Sequence, residues 1–90
     1  MIVLWAPEAE QDRADIMDYI AADNPSAAIR MDQLLGEAAS RLTDHPFMGK
    51  PGHIPDTREL IPHPSYRLVY TINQDTIWVL ALVHTARLWP

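Results

Sequence analysis

The stretch that decides the fold runs from Tyr66 to Val83 and reads YRLVYTINQDTIWVLALV. In its first half, every second residue is large and apolar or aromatic, which is the pattern of a strand with one buried face. Asn73-Gln74-Asp75 follows and has the composition of a hairpin turn. Residues 76–83 are apolar at nearly every position, which is typical of a central strand. Regular alternation would divide them into two faces, Trp78, Leu80 and Leu82 against Ile77, Val79, Ala81 and Val83.

The segment before this hairpin is rich in turn-forming residues. Residues 46–64 contain five prolines, and Gly49-Lys50-Pro51-Gly52 has the composition of a loop. Within the segment, Thr57–Ile61 can form a strand. Because the prolines around it cannot donate to a ladder, we predict this strand at the edge of the sheet.

The N-terminal half predicts two helices. Apolar residues recur at helical spacing between Pro7 and Ala22, and acidic residues fill the other positions, so this segment is an amphipathic helix. Asn24 can cap a second helix that begins at Pro25. That helix carries an apolar stripe made of Ala28, Met31, Leu35, Ala38 and Leu42. The joint between the two helices is short, which favours an antiparallel helical hairpin.

A short apolar run, Ile2–Trp5, precedes the helices and can form a further strand. The order of elements predicts a single α+β domain over residues 1–90. In it, the N-terminal strand and the helical hairpin combine with a mostly antiparallel sheet of about four strands, and the helices pack on one face.

The composition narrows the possible functions. The chain has no cysteine, so it has neither a disulfide framework nor a thiolate nucleophile. Its net charge of −5 argues against indiscriminate phosphate binding, although residues 46–90 alone are slightly basic. No apolar stretch is long enough for a membrane span or a signal peptide, so we expect a cytoplasmic protein. We predict no cofactor and no metal site, since four histidines lack ligand spacing: His45, His53, His63 and His84.

Five segments, spread over nearly the whole chain, together form a recognisable pattern. They are WAPEAEQDRADIMDYIAADNPSAA (5–28), HPFMGKPG (45–52), TRELI (57–61), YRLVY (66–70) and HTARLWP (84–90). In this set and spacing, the chain resembles the RelE/ParE superfamily of bacterial type II toxin–antitoxin toxins, and its ending is similar to the ParE-like branch. The resemblance implies a cognate antitoxin that wraps the toxin in a hetero-oligomeric complex and silences it. RelE-like members cut mRNA in the ribosomal A site, whereas ParE-like members poison DNA gyrase without accepted catalytic residues.

A RelE-like activity would need catalytic residues that the resemblance assigns to the second half. Arg67 matches the arginine that RelE-like nucleases hold at the scissile phosphate, Arg87 lies near their second arginine, and His84 resembles a C-terminal histidine acid. Glu59 or His53 could serve as the base. From the residues alone, an arginine on a strand, such as Arg67, is more often a solvated or salt-bridged side chain than a catalyst. His84 could be a half-buried histidine that is hydrogen-bonded to backbone.

Departures from the nuclease pattern favour the gyrase inhibitor. Lys50 stands alone where RelE-like nucleases have paired lysines, and Trp89 occupies the region of their late tyrosine. These departures favour a protein that is not an enzyme, although the nuclease remains an alternative. A third alternative is a module that has lost toxicity and only binds antitoxin or acts as a co-repressor. For contact with the target or the antitoxin, we predict Lys50, Arg58 and Trp89, together with exposed parts of the stripe at Leu35 and Leu42.

Overall fold

The computed structural model describes residues 1–90 and contains two helices and five strands in one α+β domain. The elements follow the chain in this order: β1 (Ile2–Trp5), α1 (Pro7–Ala21), α2 (Pro25–Arg41), β2 (Lys50–Pro51), β3 (Arg58–His63), β4 (Tyr66–Asn73) and β5 (Thr76–His84). The strands form one sheet in the order β1-β5-β4-β3-β2. Only the β1–β5 pair is parallel, so the predicted fold class is confirmed.

The helical hairpin forms for the reasons that the sequence suggests. Pro7 stands at the start of α1, and Pro25 at the start of α2, where a missing backbone N–H costs nothing. The Asn24 side chain caps α2 by accepting a hydrogen bond from the Ala27 N–H at 3.1 Å. Arg13 of α1 then joins the helices, since its Nε lies 2.7 Å from Asp32 Oδ1 of α2.

The far edge of the sheet differs from the prediction. The sheet has five strands instead of about four, because Lys50 and Pro51 form the two-residue strand β2 against the start of β3. The strand predicted at Thr57–Ile61 runs from Arg58 to His63 and passes through Pro62. Because β2 pairs with Arg58 and Glu59, β3 is the second strand from the edge of the sheet. The predicted edge position is therefore wrong for these two residues. Proline is tolerated in β3 because no strand covers its outer side beyond Glu59.

A β-bulge corrects the predicted alternation of β5. Val69 of β4 pairs with Ala81, but the next residue, Tyr70, pairs with Val79, so Leu80 is the extra residue. The bulge shifts the alternation by one position. As a result Ile77, Val79 and Leu82 all lie in the core, although regular alternation would have separated Leu82 from the other two.

The core lies between the helical hairpin and one face of the sheet. Its centre is a cluster of nine buried side chains that come from both helices and from β4 and β5: Ala9, Leu35, Ala39, Leu42, Leu68, Tyr70, Ile77, Val79 and Leu82. Leu35 and Leu42 are 0% exposed. The prediction that these two residues contact a partner is therefore wrong for the folded chain, because the sheet already covers them.

Tyr70 carries the one hydroxyl in this cluster and uses it to hold the loop after α2. The hydroxyl donates to the Pro46 carbonyl at 2.7 Å and accepts from the Gly49 N–H at 3.0 Å. A buried hydroxyl with both functions satisfied fixes the backbone of the loop to the centre of the sheet.

Tyr70→Phe tests this anchor. We expect the free energy of unfolding to fall by about 1–3 kcal/mol, because the buried Gly49 N–H loses its partner. Tyr66→Phe is the matched control, since the Tyr66 hydroxyl makes no hydrogen bond within the chain. Urea unfolding of both variants gives the comparison, and equal losses would contradict the anchor.

Neither helix has the combination of length and hydrophobicity that is needed to cross a membrane.

Candidate functional site

An ion pair between Arg67 and Glu59 occupies the sheet face that points away from the helices. Glu59 of β3 stands opposite Val69 of β4, and Arg67 is two residues from Val69, so all three share this face. Arg67 Nη1 donates to Glu59 Oε1 at 2.9 Å. The two side chains are only 14% and 17% exposed. The pair is therefore largely withdrawn from water.

Every polar atom of this pair is engaged or enclosed. Arg67 Nη2 donates to the backbone carbonyl of Arg87, in the chain after β5. Arg67 Nε is buried and has no partner. The second oxygen of Glu59 accepts from the backbone N–H of His53 at 3.1 Å. Glu59 is thus engaged through both of its oxygens, and both terminal nitrogens of the Arg67 guanidinium already donate within the chain.

His84 lies on the other face of the sheet. It pairs with Tyr66, and directly opposed residues of an antiparallel pair point to the same side, whereas Arg67 points to the opposite side. The ring centroids of Tyr66 and His84 are 5.9 Å apart. His84 Nδ1 accepts from the Ala86 N–H at 3.1 Å. The imidazole is exposed and bonded to backbone, where the sequence predicted it half-buried.

The structure therefore does not bring the side chains of Arg67, His84 and Arg87 together at one place. Arg67 meets Arg87 only through the backbone carbonyl of Arg87, whose own side chain makes no hydrogen bond or ion pair within the chain. His84 is separated from Arg67 by the sheet. Arg67 forms a salt bridge, which is one of the non-catalytic environments that the sequence allowed.

The predicted contact residues Lys50 and Arg58 have different environments. Lys50 is exposed and makes no ion pair. Arg58 is turned inward: its Nε donates to the Gly49 carbonyl at 3.0 Å, and Nη2 donates to the Phe47 carbonyl at 3.3 Å. Its guanidinium carbon also lies 5.3 Å from the centroid of the Phe47 ring. Arg58 therefore supports the backbone of the loop at residues 47–49. Of the two predicted basic contact residues, Lys50 is the accessible one.

Trp89 borders a groove of about 870 Å³ between α1, the end of β5 and the C-terminal residues. We call this the α1–β5 groove. Its apolar lining includes Ile16, Tyr19, Leu80 and Leu88, and its acidic wall on α1 consists of Glu8, Asp12 and Asp15. The groove exists because β1 ends at Trp5, which leaves the edge of β5 beyond Val79 without a neighbouring strand.

Asp12 is a residue that sequence reasoning missed. Its Oδ2 accepts from the Leu82 N–H at 3.1 Å, on the edge of β5 that β1 no longer covers. The carboxylate takes the place of a strand and satisfies a donor that would otherwise face the groove. An acidic residue on the polar side of an amphipathic helix gives no signal of this contact in the sequence.

No group of three or more histidine, cysteine, aspartate or glutamate side chains lies close enough to hold a metal ion.

Comparison with known proteins identifies the family. Residues 3–89 match the family described as "ParE toxin of type II toxin-antitoxin system, parDE". The chain belongs to the ParE toxin family. It is accordingly a toxin of the type II toxin–antitoxin class, within the RelE/ParE superfamily that the ordered segments indicated.

Individual relatives agree with this family. The ParE-family chain is 34% identical over 89 residues to "Putative toxin Y4kP" of Sinorhizobium fredii, covering 98% of this chain and 92% of that protein. It is 34% identical over 86 residues to "Toxin RelE2" of Caulobacter vibrioides, covering 96% and 97% respectively. A solved structure described as "Chromosomal ParDE TA system from P. aeruginosa" has the same fold, with a TM-score of 0.81 and 22% identity over 93% of this chain and 95% of that one.

Proposed function

We propose that this ParE-family toxin acts by binding DNA gyrase and inhibiting it, without catalysis by its own residues. The observation that supports the proposal is that the Arg67 side chain is engaged in contacts within the chain. Metal-independent RNA cleavage requires an accessible cation for the phosphorane charge, with a base and an acid around the same phosphate. Here the guanidinium is tied to Glu59 and to the Arg87 carbonyl, and His84 is on the other face.

The proposal includes a cognate antitoxin that neutralises the toxin. The family's description as part of a toxin–antitoxin system supports such a partner. The α1–β5 groove offers apolar side chains beside three carboxylates, so it suits an amphipathic segment whose polar side is basic. Both gyrase and such an antitoxin would meet the chain in the cytoplasm.

A ribosome-dependent mRNA endoribonuclease is the second candidate. The relative named "Toxin RelE2" favours it, since RelE-like members of the superfamily cut mRNA. In that case the C-terminal residues would have to move away from Arg67 before it could contact a phosphate. A protein that only binds antitoxin or represses transcription is a third candidate, and harmless overexpression without antitoxin would favour it.

Two assays with purified toxin separate these candidates. We expect the toxin to inhibit DNA supercoiling by gyrase and to leave mRNA on translating ribosomes intact. His84→Ala should inhibit gyrase within about twofold of the wild type, because the proposed inhibition depends on binding and needs no general acid from the toxin. Cleavage of mRNA that His84→Ala abolishes, with gyrase unaffected, would replace the proposal with the endoribonuclease.

A further inference from the structure

The loop after α2 exposes two large apolar side chains that the fold does not need for its core. Phe47 is 68% exposed and Met48 is 40% exposed. We call the segment from Pro46 to Gly49, with these two side chains, the Phe47 loop. Exposed aromatic and methionine side chains that are neighbours on a surface are typical of a protein contact site, and here the exposed Lys50 follows them in the chain.

The backbone of the Phe47 loop is fixed from below. The Tyr70 hydroxyl bonds both ends of the segment, at the Pro46 carbonyl and the Gly49 N–H. Arg58 donates to the carbonyls of Phe47 and Gly49. A Cβ on Gly49 would lie 2.7 Å from the Glu59 carbonyl, so the loop is packed directly against β3. A loop held in this way loses little conformational entropy when it binds, which raises the affinity that two side chains can supply.

The Phe47 loop and the α1–β5 groove are different surfaces. The loop leads into β2 at one edge of the sheet, whereas the groove lies at the other edge, beside β1 and α1. The groove has an acidic wall, and the loop is followed by Lys50. A basic amphipathic segment in the groove would therefore leave the loop free for a second protein.

The chemistry of the Phe47 loop favours a protein pocket over a stacked nucleic-acid base. The guanidinium carbon of Arg58 lies 5.3 Å from the centroid of the Phe47 ring, so one face of the ring is already occupied. Met48 adds a flexible apolar side chain that cannot stack but fills irregular pockets well.

We propose that the Phe47 loop is the surface by which the toxin docks on its target enzyme. Phe47 and Met48 enter an apolar pocket on that enzyme. The rim of the pocket is acidic and pairs with Lys50. This inference rests on the proposed function, because it takes gyrase as the target, and it assigns the antitoxin to a different surface.

Phe47→Ala tests the docking surface, with Ile29→Ala as the matched control. Ile29 is an exposed apolar residue on α2, at 62% exposure against 68% for Phe47. We expect Phe47→Ala to raise the concentration for half-maximal gyrase inhibition by at least about tenfold, as truncation of an aromatic anchor does. Ile29→Ala should match the wild type. Both variants should bind the antitoxin with unchanged affinity and unfold at the same temperature as the wild type.

Growth inhibition by the induced toxins separates failure of the docking surface from failure of the gyrase proposal. If the wild type stops growth but leaves gyrase active, the gyrase proposal fails, and loss of growth inhibition in Phe47→Ala would still support the docking surface. Full growth inhibition by Phe47→Ala would overturn it. An equal loss of antitoxin affinity in Phe47→Ala, or Phe47-dependent binding of single-stranded DNA by the wild type, would overturn it as well.

Discussion

Replacing Glu59 with alanine is expected to lower the free energy of unfolding by about 3–5 kcal/mol, because the change leaves a buried guanidinium without its counter-charge. Arg67 and Glu59 are 14% and 17% exposed, so water cannot screen or replace the lost partner effectively. Arg67 Nε already lacks a hydrogen bond, and the substitution would leave Nη1 in the same condition. Urea unfolding followed by circular dichroism measures the loss.

Two further variants identify the cause of the loss. Glu37→Ala removes an exposed carboxylate that makes no ion pair, and it should change stability by at most about 0.5 kcal/mol. The double variant Glu59→Leu with Arg67→Met removes both charges and keeps much of the volume. It should recover most of the stability, since replacing a whole buried ion pair with apolar residues is often neutral or favourable. A double variant as unstable as Glu59→Ala would contradict this account.

The same double variant distinguishes structure from catalysis at Arg67. If Arg67 only holds the sheet face and the chain after β5 together, the folded double variant should still inhibit gyrase. If Arg67 stabilises a reacting phosphate, the double variant should be stable but inactive. A single Arg67→Ala substitution could not separate these cases, because it would also leave Glu59 buried and unpaired.

Leu35→Ala is expected to lower the free energy of unfolding by about 2–5 kcal/mol, the range for a large-to-small change in a closed core. Leu35 is 0% exposed and lies between α2 and the sheet with Tyr70 and Leu42 around it in the cluster. The cavity would be enclosed by the backbone of regular elements, which limits how far neighbours can relax.

The effect of Leu35→Ala on antitoxin binding tests whether the buried Leu35 contacts a partner. Antitoxin affinity, measured by calorimetry well below the unfolding temperature, should stay close to that of the wild type. Ile29→Ala on the exposed side of the same helix should be nearly neutral in stability, which would separate core packing from helix propensity. A Leu35→Ala protein with normal stability and weakened antitoxin binding would reinstate Leu35 as a contact residue.

Most of the secondary structure could be predicted because each element carries a local signal. The prolines at positions 7 and 25, the Asn24 cap and the alternation after Tyr66 all act within a few residues, and the structure has helices and strands at those places. The strand β2 and the bulge at Leu80 had no such signal. Both depend on which residue of another strand stands opposite, and a sequence pattern does not contain that register.

The candidate site was harder to predict for the same reason. The types of residue were visible, but the partner of each one was not. The sequence shows Arg67 but not its partner, and the ion pair can be recognised only when Glu59 is placed on the adjacent strand. Phe47 is the single phenylalanine, between a proline and a glycine-containing turn, and this unusual position could have drawn attention to the loop.

The position of β5 has a consequence for the time at which the toxin can become active. β5 is the inner neighbour of β1, yet it comes after every other strand and helix in chain order. During synthesis, β1 has no partner strand, and the core face of α1 has no β5 to cover it, until the ribosome has made residues near 84. The sheet can therefore form only after β5 has been synthesised, because β1 and β5 are far apart in the chain and must pair with each other. We therefore expect the nascent chain to stay incompletely folded until β5 has been made and can pair with β1.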